Sequence, residues 1–163
     1  MKERFWLASI AGGVGASLAM DLVQDGFALI FERGRAEGDL DEEVEGIASV
    51  VRTLSRFAPA LFPVGHAKAE ARAIHYVFGV GFAAAYVAGV PRARWLATSR
   101  GVAFGAGLFL VSDRILIPVL KLGRSWSRYS RSERANALLS HVAYGVVLEW
   151  ARARYASPRS DVG

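Results

Sequence analysis

The chain has no cysteine, so it forms no disulfide, offers no thiolate nucleophile and holds no cysteine-ligated zinc or iron–sulfur site. Redox chemistry therefore says nothing about its compartment. Charge is scarce too. Asp, Glu, Lys and Arg make up 21% of the 163 residues against 53% hydrophobic, which is apolar for a soluble protein of this length. No nucleophile–base pair or catalytic serine motif is present. The run Gly12-Gly13-Val14-Gly15 has no strand before it and so is no dinucleotide loop. An enzyme is not the expectation. The net charge is +5, but the basic residues lie between and beyond the apolar runs and not along one helix face. That arrangement argues for a lipid bilayer as partner and against nucleic acid.

What is present is glycine, 17 of them, and four apolar runs. The runs predict helices over about 5–31, 67–90, 97–120 and 135–155. The expected fold is all-α: one domain over 1–163, a four-transmembrane-helix bundle built from two helical hairpins. Ala73 to Val90 is the clearest run. It carries no formal charge apart from His75 and is 18 residues long, near the roughly 20 that a spanning helix needs. In the first run Ala8, Gly12 and Ala16 recur every fourth residue beside Ala11, Gly15 and Ala19, giving one broad small-residue face. Such a face lets another helix come close in lipid, and its breadth predicts a homo-oligomer or a membrane-protein partner. Ser17, Asp21, Gln24 and Asp25 form a separate polar edge. Ser17-x-Ala19 mimics a leader cleavage site, but the apolar pattern resumes after Asp21 and runs to Phe31, which favours a retained helix.

The connections differ in character. Residues 32 to 72 hold an acidic cluster (Asp39, Asp41, Glu42, Glu43 and Glu45), with apolar residues at helical spacing from Val44 to Leu54. This predicts an amphipathic interfacial helix over about 41–57, ended by Pro59 and Pro63. In the third run Asp113 and Arg114 interrupt the apolar pattern, and Pro118 predicts a kink. Arg124, Arg128, Arg131 and Arg134 alternate with Trp126 and Tyr129 in a short basic loop. Trp6, Trp95 and Trp150 fall at one end of the expected bundle, as interfacial tryptophans do. Lys2, Arg4, Arg92, Arg94, Arg100, Arg152, Arg154 and Arg159 lie close to helix ends on that side. By the positive-inside rule both termini of this multi-pass protein are expected to be cytoplasmic.

The chain also repeats itself. Gly13 to Asp21 and Gly105 to Asp113 both read Gly-x-Gly-x-x-Leu-x-x-Asp, and each is followed by a helix containing His-x-x-x-Gly, at His75–Gly79 and His141–Gly145. The Asp-to-His gaps are 54 and 28 residues, so the first loop carries an insertion. At 1.5 Å per residue both Asp lie roughly 22–27 Å from the tryptophan level, with His75 and His141 about 22 and 14 Å from it. Four helices thus offer one ionisable group each in one layer. Repeat symmetry would set Asp21 against Asp113 and His75 against His141. Three roles follow. Each Asp pairs with a His or with Arg114 and fixes helix register. Alternatively Asp21, His75, Asp113 and His141 handle protons or hold a divalent metal. Alternatively His75 and His141 are the axial ligands of a haem b. No cofactor at all is the first expectation. His66 is expected to face water, and Glu149 with Arg152 forms a local pair one turn apart.

His75-Tyr-Val-Phe, Tyr86 in the same Gly-rich helix, the Gly-Ala-Gly of the third helix, and His141 with Glu149 eight residues on resemble the YagU-like bacterial inner-membrane proteins. The resemblance covers residues 70 to 152 and, more loosely, the first helix. It implies a four-helix integral membrane protein with cytoplasmic ends, and no reaction. It does not extend to Asp21 or Asp113.

Overall fold

The computed structural model describes residues 2–31, 67–120 and 129–155. The acidic cluster, the helix expected over 41–57, His66 and the loop residues Arg124, Trp126 and Arg128 lie outside them. All the described regular structure is helical: α1 (Lys2–Phe31), α2 (Ala67–Gly89), the single turn α3 (Trp95–Thr98), α4 (Val102–Val111), a π-helical turn (Ser112–Leu116), α5 (Ile117–Leu120) and α6 (Arg131–Tyr155). The all-α expectation holds.

Two boundaries differ from expectation, each for a local reason, and a third feature falls where the sequence placed it. α6 starts one turn early because Ser130 and Glu133 form a reciprocal cap. The Glu133 N–H donates to Ser130 Oγ at 3.2 Å, and the Ser130 N–H donates to Glu133 Oε2 at 2.6 Å. The helix expected from 97 is divided, because Arg100 (φ 52°) and Gly101 (φ 83°) both turn left-handed between α3 and α4. The π-helical turn contains Asp113 and Arg114, where the interruption was expected. Pro118 has no N–H for the carbonyl four residues back, at Arg114, and its ring crowds that carbonyl; the ladder widens in the turn before it.

The packing is antiparallel within each hairpin. Gly13 lies against Gly79 and Val80, and Asp21 against His75, so α1 and α2 run in opposite directions. Gly101 lies against Gly145 and Gly105 against His141, so α4 and α6 do the same. Between hairpins, Gly12 of α1 meets Leu148 and Ala151 of α6. The Tyr86 ring of α2 meets Phe104 of α4, centroids 4.5 Å apart. The core draws on all four long helices: Ala16 and Met20, Ala83, Tyr86 and Val90, Leu108, and Tyr144 and Leu148.

The glycines give the repeat its physical meaning. A Cβ on Gly13 would stand 2.7 Å from Val80 Cα, and one on Gly105 would stand 2.8 Å from Val142 Cα, so both positions need the missing side chain. The second glycine of each motif is loosely surrounded. Gly15 would meet only Val147 Cγ1 at 4.0 Å, and Gly107 would meet nothing within 4 Å. The motif leucines, Leu18 and Leu110, are exposed.

Small polar residues share the interior with Tyr86, Tyr144 and Leu148, and many large aliphatic residues lie outside. Ser9, Ser17 and Ser140 are buried, while Leu7, Ile10, Leu22, Leu29, Ile115 and Val119 are exposed. The small-residue face is displaced from where the spacing put it. Ala8, Gly12 and Ala16 are buried, but their inner neighbours are Ser9, Gly13 and Ser17; Ala11 is exposed and Gly15 and Ala19 only half-buried. Ser17 therefore belongs to the packed face and not to the polar edge. Trp6, Trp95 and Trp150 are all exposed, at the end where α1 begins and α2 and α6 end. Among the described residues one helix segment, Lys2–Phe27, is long and apolar enough to cross a membrane. The second run was the expected one; Lys68, Glu70 and Arg72 in the first turns of α2 shorten its apolar part.

Candidate functional site

Each motif Asp meets the His of its own hairpin. In the first hairpin His75 Nε2 lies 3.2 Å from Asp21 Oδ1, within ion-pair range but off the line of a hydrogen bond. The other carboxylate oxygen accepts from the Tyr76 hydroxyl at 3.0 Å, and the His75 and Tyr76 rings sit edge to face, centroids 5.5 Å apart. In the second hairpin His141 Nε2 lies 3.7 Å from Asp113 Oδ1 and 2.9 Å from Ser112 Oγ. Its Nδ1 is 2.8 Å from the Ala137 carbonyl. A carbonyl only accepts, so Nδ1 carries a proton. Ser112 Oγ is also 2.7 Å from the Leu108 carbonyl and 3.1 Å from Asp113 Oδ1, and the Phe109 ring closes one side of the imidazole at 5.9 Å.

The spacing explains why both pairs form. The Asp lies eight residues after the packed glycine on one helix, and the His lies four before the packed glycine on the other. Antiparallel helices that cross at those glycines carry both groups to the same side of the crossing, the Asp a little over two turns along its helix and the His a little over one along the other. The cross-repeat arrangement, Asp21 with Asp113 and His75 with His141, is replaced by pairing within hairpins. Among the described residues no three His, Asp or Glu side chains lie close enough to hold one metal ion. The Nε2 atom of each His, which would serve an iron, faces the carboxylate of its own hairpin.

Ser112, His141 and Asp113 contain the residue types of an acyl-transfer triad without its geometry. In a triad the carboxylate orients Nδ1 while Nε2 meets the serine. Here Ser112 and Asp113 both approach Nε2, and a backbone carbonyl takes Nδ1. The arrangement can share a proton; it does not activate a nucleophile.

Two further contacts were not read from the sequence. The Tyr144 hydroxyl of α6 donates to the Gly79 carbonyl of α2, tying the hairpins together. The Glu149–Arg152 pair forms as expected, with Arg152 Nε 2.6 Å from Glu149 Oε2 and Nη2 2.8 Å from Oε1, and it also receives the Tyr86 hydroxyl at 2.8 Å. Tyr86 had entered only through the family resemblance. Tyr76 and Ser112 were missed as partners, although each is the chain neighbour of a motif residue, His75 or Asp113.

The fold and site together define an all-helical bundle of two repeated hairpins, each closed by a glycine crossing and an Asp–His pair. Comparison with known protein families, characterised proteins and solved structures finds no match.

Proposed function

We propose that this chain is a four-span integral membrane protein of the bacterial inner membrane, with both termini cytoplasmic, whose Asp–His pairs hold each hairpin in register. The observation that carries the reading is the outward face: large aliphatic side chains are exposed on every long helix, while serines and glycines take part in the close helix contacts. In water that surface is an aggregation liability; in lipid it is the solvated face, and close small-residue contacts do the packing. An ionisable group within a span is costly unless it is paired, which gives each Asp and His a reason to meet. The exposed tryptophans at one end support an interfacial belt. The resemblance of residues 70 to 152 to the YagU-like proteins points the same way. The test is extraction: the chain should stay with membranes through an alkaline wash and need detergent to leave them. A monodisperse species in buffer without detergent would end the reading.

A second reading rests on the second pair alone. A protonated His141 would have an acceptor at each ring nitrogen, Ala137 at one and Ser112 with Asp113 at the other. That suits a group that takes up and passes on a proton. Proton flux into vesicles that is abolished by Asp113→Asn would favour it over a purely structural pair.

We also propose a homo-oligomer. Ala11, left outside the bundle, lies with Trp6, Leu7, Ile10 and Val14 along a shallow apolar groove on α1. Cross-linking in native membranes that yields only the monomer would remove this proposal.

A further inference from the structure

The two ends of the bundle are charged very differently. At the tryptophan end stand Lys2, Arg4, Arg92, Arg94, Arg100 and Arg154, all exposed, together with Arg152. Only Glu3 and Glu149 oppose them among the described residues, and Glu149 is already bound by Arg152 and Tyr86. At the opposite end the described residues cancel. Lys68, Arg72, Arg114, Arg131 and Arg134 are matched by Asp21, Asp25, Glu70, Asp113 and Glu133. Seven bases against two acids leave an excess of five at the tryptophan end, which equals the net charge of the whole chain.

Three of these arginines sit on a built connection. After α2 the chain is held by the N–H groups of Arg92 and Ala93, which donate to the Gly89 carbonyl at 2.9 and 3.0 Å. Ser99 Oγ donates to the Leu96 carbonyl at 2.9 Å and accepts from the Ala103 N–H at 3.1 Å. Gly101 is wedged against the Gly145 backbone. Arg100, next to it, is the one non-glycine described residue with positive φ. That conformation is uncommon outside Gly, Asn and Asp, and persists only where the surroundings impose it. The connection thus presents Arg92, Arg94 and Arg100 from a fixed frame beside the exposed Trp95.

We infer that this end of the protein binds the headgroups of anionic phospholipids, with the arginines on their phosphates and the tryptophans at the same depth. The inference rests on the membrane reading above. A cationic cluster at a helix–lipid boundary gains about 1 kcal/mol per basic residue from an anionic leaflet, or roughly fivefold in local lipid enrichment for each. Among the described residues the opposite end carries no net charge, so the preference is assigned to the tryptophan end.

Quenching of tryptophan fluorescence by brominated lipid tests this. The full chain carries Trp126→Phe, so that the signal comes from Trp6, Trp95 and Trp150, and is reconstituted in vesicles of phosphatidylcholine and phosphatidylglycerol in which one or the other is brominated. Brominated phosphatidylglycerol should quench at a several-fold lower mole fraction than brominated phosphatidylcholine. The preference should vanish near 1 M salt, where charges are screened within about 3 Å. Most of it should be lost with Arg92→Gln, Arg94→Gln and Arg100→Gln together, and it should persist with Arg131→Gln and Arg134→Gln. Should the triple variant misfold, Arg100→Asn keeps a residue that tolerates positive φ and should lose part of the preference. Equal quenching by both lipids in the otherwise unaltered chain, or full preference in the arginine variants, overturns the inference and leaves the membrane reading intact. Loss of preference to inorganic pyrophosphate at constant ionic strength would assign the surface to soluble phosphates and also overturn it. Absence of quenching by either lipid removes the membrane reading and this inference together.

Discussion

The two hairpins share one plan and differ in how deeply they bury it. In the first, His75 and Asp21 are 29% and 36% exposed and a tyrosine hydroxyl serves the carboxylate. In the second, His141 and Asp113 are 8% and 13% exposed, and a serine from a π-helical turn stands against both. The same Asp–His spacing therefore gives a half-open pair and a closed one. Position in the bundle accounts for the difference: α6 packs against both α1 and α4, whereas α2 meets α4 through the bulky Tyr86 and Phe104 rings. Phe104 is the repeat counterpart of Gly12, 92 residues on. A glycine closes one contact between the hairpins, and an aromatic pair props the other.

Matched substitutions would break or sharpen this comparison. His141→Ala leaves Asp113 buried beside a cavity and should cost about 3–5 kcal/mol, whereas His75→Ala should cost about 1 kcal/mol or less. Thermal melting of both variants in one detergent checks it; equal losses would mean that burial does not separate the pairs. Glycine comes next. Gly13→Ala and Gly105→Ala each force two helices apart and should each cost about 2–3 kcal/mol, while Gly107→Ala, with open space around it, should be neutral or slightly stabilising. A large loss at Gly107 would show that the second motif glycine meets something in the assembled protein.

The repeat was legible because its two halves have the same glycine-to-Asp and His-to-glycine spacings, and those spacings encode a helix crossing. The partner choice was not. One ionisable group per helix in a common layer is compatible with pairing within or between hairpins, and only the crossing glycines decide which. The buried face of α1 was misplaced for a related reason. Rows of Ala, Gly and Ser flank Gly12 on both sides with nearly the same residue sizes, so helical periodicity alone could not choose the row at Gly13 over the row at Gly15. The π-helical turn was signalled by Pro118 and by the interruption at Asp113 and Arg114, and such signals mark a disturbance without stating its form.

Two smaller effects complete the series. Tyr144→Phe removes the hydroxyl that joins α6 to the Gly79 carbonyl and should cost about 1 kcal/mol; its repeat counterpart, Phe78, has no hydroxyl to lose. Tyr76→Phe should cost a few tenths of a kcal/mol, because Asp21 is open enough to be hydrated. A Tyr76 effect larger than that of Tyr144 would reverse the order of importance assigned to the hairpins. Chemical denaturation followed by circular dichroism resolves both.

The contact of Gly12 with Leu148 and Ala151 also sets a timetable. α1 packs on α6, which is synthesised later by 136 residues at Leu148. At cellular synthesis rates the glycine face of α1 waits on the order of ten seconds for its partner. During that interval the first hairpin can close on itself at Gly13 and Gly79, but its other face stays open to any helix that fits a small-residue groove. The newborn chain is thus most receptive to a foreign helix, or to a second copy of its own, before α6 exists.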